Sequence, residues 1–277
     1  MNILLDILRG VVMGIANVIP GVSGGTLAVS MGVYDKLIAA INNLFKKFKQ
    51  SLSTLWPLGL GMLVGIFGLA AVIKPLLSNF PLPTNFAFIG LILGGLPVIV
   101  RRMNVKKAGA TGGFLFVIFF ALIIVLPLLT GTGSRAVTPN VGTVLLLVLI
   151  GAVASATMVV PGVSGSMVLM LIGFYEPVIG ALNTLRTGDL GALFILLPFA
   201  VGVVVGIFSI SKLIDMLFHK FPDQTYCAIL GLVIASPVAL IIQNAGAFAL
   251  AGVWTYVACV LTFAAGFAAA YLLSKKE

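Results

Sequence analysis

Two short segments, Pro20-Gly21-Val22-Ser23-Gly24-Gly25 and Pro161-Gly162-Val163-Ser164-Gly165-Ser166, interrupt otherwise long apolar runs. Proline brings no N–H and clashes with the preceding helical turn, and glycine frees the backbone. Neither run therefore passes its segment as one continuous helix. In hydrocarbon an unpaired backbone group costs several kcal/mol, on the order of the penalty for burying an unbonded amide. A break of this kind survives at membrane depth only where protein or a polar cavity covers it, which is the usual place of a transporter's binding site.

Composition makes the runs membrane segments. Of 277 residues, 61% are hydrophobic and 8% charged, against roughly 25% charged in a soluble domain. The expected fold class is an all-α polytopic membrane protein, because the ten-residue alternating strands of a barrel are absent. The net charge of +9 resides in short connections between apolar runs. It therefore points to membrane topology and excludes nucleic acid as the partner. The first run has no basic leader and no cleavage-site pattern, so it is expected to be retained. Cys227, Cys259 and His219 show no metal-ligand spacing, and no metal or other cofactor is expected.

In chain order the first repeat covers 1–130: a broken pair over 3–44, with its second part running on from 26 to 44, then spans at 56–77, 85–100 and 113–130. A linker at 131–140 leads to the second repeat, 141–277, with a broken pair over 141–184 and spans at 193–217, 225–243 and 248–273. A constant shift of 141 residues superimposes Gly10 on Gly151, Pro20 on Pro161, Ser23 on Ser164, Gly32 on Gly173 and Tyr34 on Tyr175. Without a gap it continues through Pro57 and Pro198, Gly61 and Gly202, Pro81 and Pro222, and Gly90 and Gly231. Register held through four successive segments marks an internal duplication.

Each half contains a broken pair and three spans, an odd number of crossings whether the pair is re-entrant or fully spanning. The halves are then expected to face opposite ways, as an inverted-topology repeat. With both termini in the cytoplasm, Lys46, Lys47, Lys49, Arg101, Arg102, Lys106, Lys107, Lys212, Lys220, Lys275 and Lys276 fall inside. Only Lys74, Arg135 and Arg186 fall outside, which is the bias that the positive-inside rule requires.

After each break a half-helix begins, and its first N–H groups lack intrahelical partners and carry partial positive charge. Asn17, Pro20, Gly21, Ser23, Gly24, Gly25 and Thr26 in the first half, and Pro161, Gly162, Ser164, Gly165 and Ser166 in the second, are the candidate anion-binding residues. The other reading has the tips cap each other and the serines bond local carbonyls. Arg9, ahead of the first break, faces the anion, snorkels to the surface or pairs with Asp6. Asp35 and Glu176 are repeat equivalents, each following a tyrosine. They bind a coupling proton or cation, or else mark the interfacial end of the second half-helix. The Arg101, Arg102, Lys106, Lys107 cluster reads as a topology determinant.

Asn17-Val18-Ile19-Pro20-Gly21-Val22-Ser23-Gly24-Gly25-Thr26 with Gly32-Val33-Tyr34-Asp35 resembles the first signature of the bacterial polyprenyl-phosphate transporter family. Met158-Val159-Val160-Pro161-Gly162-Val163-Ser164-Gly165-Ser166 with Gly173-Phe174-Tyr175-Glu176 resembles the second. The resemblance covers essentially the whole chain. Departures are Asp35 where glutamate is common, and Thr26 against Met167 after the two breaks. It implies a flippase of the bacterial cytoplasmic membrane that returns undecaprenyl phosphate for cell-envelope synthesis. A proton or sodium gradient acting through Asp35 or Glu176 is the expected driving force. Membrane lipids surround the protein, and assembly as a homo-oligomer is left open. Two rivals stand beside it. One is a channel or carrier for a small soluble anion. The other is an undecaprenyl-pyrophosphate phosphatase, whose Pro-Gly-x-Ser-Arg-Ser element the breaks also resemble. Gly24 and Gly165 occupy the place of its arginine, and no paired-glutamate motif exists. An enzyme is therefore not expected.

Overall fold

The structure, a computed structural model, describes residues 3–18, 23–68, 70–129, 137 and 140–275, and the regular structure among them is entirely helical. The helices are α1 (Ile3–Val18), α2 (Gly24–Ser30), α3 (Tyr34–Asn42), α4 (Phe48–Leu63, continued by a π turn over Val64–Gly68), α5 (Ala70–Asn79), α6 (Pro81–Arg102) and α7 (Val105–Val125). They are followed by α8 (Val141–Val159), α9 (Gly165–Leu171), α10 (Tyr175–Arg186), α11 (Leu193–Lys220), α12 (Pro222–Gln243), α13 (Ala245–Ala249) and α14 (Val253–Lys275). Seven of the described helices, some counted with a flanking turn, are long and apolar enough to cross a membrane. The protein is an all-α polytopic membrane protein.

Helix ends follow local chemistry. Pro81 and Pro222 open α6 and α12 at a position where the missing N–H has no role, each after a phenylalanine in the same non-helical conformation. Asn104 and Asn140 accept from Lys107 and Thr143 N–H and cap α7 and α8. Several spans begin earlier than expected, at Phe48, Pro81 and Val105, because the polar first turns at the interface are helical although not apolar. At the other end of the chain the expected 248–273 segment is divided into α13 and α14. Of the expected linker, residues 131–136, 138 and 139 lie outside the described residues.

The segment after each break differs most from expectation. Instead of one run from 26 to 44, the chain turns sharply between α2 and α3, and again between α9 and α10. Gly32 and Gly173 adopt φ values of 75° and 78°, the left-handed conformation that ends a helix. Gly32 N–H donates to Val29 O and Val33 N–H to Ala28 O, and Gly173 and Phe174 repeat both bonds to Met170 and Leu169. This pairing closes the last carbonyls of a helix on themselves. In the second half the two pieces meet at 113°.

The duplication extends into the packing. α1 lies on α4 and α8 on α11, whereas α6 pairs with α14 and α12 with α7, so each half lends a helix to the other. A Cβ on Gly61 would come within 2.1 Å of Ile7 O, and one on Gly202 within 2.0 Å of Val148 O, at repeat-equivalent places. These are backbone-to-backbone contacts that only glycine permits. Short α2 sits at the centre of the principal core, with Leu27, Ala28 and Met31 fully buried against a cluster that includes Ile92 and Val233.

Gly61→Ile should therefore destabilise the protein by about 1–3 kcal/mol or more, the usual cost of overpacking. Gly59→Ala, two residues away in open space, should be neutral. Thermal unfolding of both variants in the same detergent checks the contrast.

Candidate functional site

The two breaks meet inside the protein. Pro20 and Gly21 lie outside the described residues, and the first break is seen from Ser23 onward. Ser23 is buried and extended, at the position preceding α2. Asn17 Oδ1 accepts from Gly24 N–H at 3.2 Å, so one free donor of α2 is capped by a side chain from the far side of the break. Thr26 is fully buried, and its Oγ1 accepts from Gly162 N–H of the second break at 2.7 Å. Gly25 faces the carbonyls of Met158 and Val159 at the end of α8. Tyr34 completes the join by donating from its hydroxyl to Val159 O at 3.1 Å.

At the second break Pro161 is buried, Gly162 has φ 83°, and Ser164 and Ser166 share a hydroxyl–hydroxyl bond of 2.7 Å. Ser166 is exposed and Ser164 half-buried. The two tips are not chemically alike. The repeat equivalent of Asn17 is Met158, whose side chain packs against Gly165. Arg9 is not brought to the breaks: it is buried, pairs with Asp6 at 3.1 Å and donates to Leu273 O at 2.8 Å, tying α1 to the end of α14.

A cavity of about 670 Å³ lies beside the join, walled by α7, α11 and α12. One end reaches Val160, Pro161 and Tyr34, and the other reaches Phe221, Gln224 and Thr225. Its lining is apolar except for Tyr34, Thr111, Gln224 and Thr225, and carries no charge. Leu213 and Phe221 in its wall are exposed. The arrangement suits a long apolar chain whose polar end lies near a break.

Next to Tyr34, Asp35 forms an ion pair with Arg102 of α6 and accepts from the Tyr226 hydroxyl of α12 at 2.9 Å. These side chains, with Tyr34, Phe218 and Ile229, line a small recess that shares Tyr34 and Ile229 with the large cavity. Glu176 is exposed. Sequence reasoning missed Tyr226 and gave Arg102 to topology. The three partners are separated by 67 and 191 residues, and no spacing rule connects them. Among the described residues, no three His, Cys, Asp or Glu side chains gather as a metal would need.

Comparison with known proteins supplies the family. Residues 13–251 match the model of the undecaprenyl phosphate translocase-like family. A polyprenyl-phosphate transporter of Vibrio cholerae serotype O1 is 34% identical over 258 residues, covering 85% of this chain and 77% of that protein. One of Staphylococcus aureus is 33% identical over 241 residues, covering 85% of each. No solved structure matches. With its model matched over most of its length, from within α1 to the start of the last helix, the chain belongs to the undecaprenyl phosphate translocase-like family.

Proposed function

We propose that this protein moves undecaprenyl phosphate across the bacterial cytoplasmic membrane, as a transporter and not an enzyme. The observation that carries the reading is the apolar cavity that ends on the second break. A polyprenyl chain fits its uncharged wall, and a phosphate at the end of that chain falls beside Pro161, Ser164 and Ser166. The names of the two relatives, both polyprenyl-phosphate transporters, support the same substrate class.

In this reading the head passes between the two breaks, with Ser23, Gly24, Gly25, Ser164, Gly165 and Ser166 along its path, while the tail stays in the cavity and the lipid. The halves are inverted relative to each other, and the exchange of α6 and α7 between them supports a two-fold relation. Both termini face the cytoplasm, and a proton or sodium gradient acts through Asp35 or Glu176. The cavity's uncharged lining favours a lipid over a small soluble anion, which would need a wet, polar route.

In sealed proteoliposomes the protein should accelerate leaflet exchange of labelled undecaprenyl phosphate and leave undecaprenol at the protein-free rate. Equal rates for the two lipids would refute the reading. Ala228→Trp, placed in the cavity wall, should lower exchange about tenfold or more while the protein still unfolds cooperatively. Orientation has its own check, since native Cys227 and Cys259 are buried. A cysteine at Lys47 or Lys107 should react with an impermeant maleimide in inside-out vesicles and resist it in intact cells.

A further inference from the structure

The recess around Asp35 is built from three elements that do not otherwise need to converge. Arg102 stands in the last turn of α6, Tyr226 in the first turns of α12, and Asp35 in the first turn of α3. A basic residue at a helix C-terminus ordinarily points to water or headgroups. Arg102 instead turns back onto Asp35, and each side chain remains about one-third exposed, at 38% and 34%. The pair is therefore reachable by a ligand while being held in one geometry. It also touches the transport route, because Tyr34 and Ile229 line both the recess and the large cavity.

The duplication shows that this cluster is not required by the fold. The repeat equivalents of Arg102 and Tyr226 are Gln243 and Asn85. Asn85 is bonded to Asn244 at 3.2 Å, and Glu176 is exposed. At the places of Arg102 and Tyr226 the other half thus carries neither a guanidinium nor a phenol.

Resting on the transport reading, we propose that Arg102 is the receptor for the phosphate head where the recess adjoins the cavity at Tyr34 and Ile229, and that Asp35 is the competitor holding Arg102 in place between transport events. A guanidinium binds a phosphate monoester bidentately, and such a dianion outcompetes a single carboxylate. The incoming head takes the Arg102 donors and the Tyr226 hydroxyl, and Asp35 turns to the water that already reaches it. Its negative charge, still nearby, then repels the phosphate and favours release onward. Asp35 sets how long the head stays, and Arg102 sets whether it is recognised.

The test measures binding of undecaprenyl phosphate and undecaprenol to the full-length protein in nanodiscs. Wild-type protein should prefer the phosphate. Arg102→Gln should weaken phosphate binding about tenfold or more, on the scale of a lost charge-assisted contact, and leave undecaprenol binding unchanged. Arg102→Lys, which keeps the charge and therefore the fold, should weaken it several-fold because the bidentate fork is gone. Asp35→Asn should tighten phosphate binding several-fold and slow leaflet exchange. Wild-type binding by both Arg102 variants would overturn the proposal. So would weaker binding in Asp35→Asn, because a merely structural pair fails alike from either side. If wild-type protein does not distinguish phosphate from alcohol, it is the transport reading itself that falls.

Discussion

The structure depends on one constraint: a backbone that leaves helical geometry inside hydrocarbon must find its hydrogen bonds within the protein. Here the first half supplies what the second break lacks. Gly162 N–H, released by the turn after Pro161, is taken by Thr26 Oγ1, and the Val159 carbonyl at the end of α8 is taken by Tyr34. Both acceptor–donor pairs cross between the halves. The centre of the molecule is thus the repair of the second interruption by side chains of the first half, with the most buried side chains, Leu27 and Met31 among them, packed around it.

From that join the functional surface extends along the wall of α7, α11 and α12. The close helix contacts elsewhere are sealed by glycine against carbonyl oxygen, as at Gly61 and Gly202, and leave no space for a ligand. α7 and α12 are joined in the same way at Gly231, and the cavity lies between that pair and α11, next to the recess that holds Arg102.

Much of this was legible in the sequence. The 141-residue register set Gly61 against Gly202, and the structure gives the two glycines equivalent contacts, with Ile7 and Val148; glycine and proline mark backbone positions that any fold must respect. The turn at Gly32 was not foreseen, since a lone glycine between apolar residues reads as part of a helix until its φ is known. The site was half legible. Ser23, Ser164 and their neighbours are local motifs, whereas the Arg102–Asp35–Tyr226 cluster depends on three distant elements meeting. Arg102 also stands in a cluster with Arg101, Lys106 and Lys107, and nothing in that run marks its contact with Asp35.

The exchange of helices between halves has a consequence for how the protein comes into being. α6 is inserted early, yet the surface it buries is completed only by α14, which follows after α7 to α13. Until then its flank faces lipid or a chaperoning insertase. Loss of α14 would strand α6, so quality control of α6 has to wait until α14 is made.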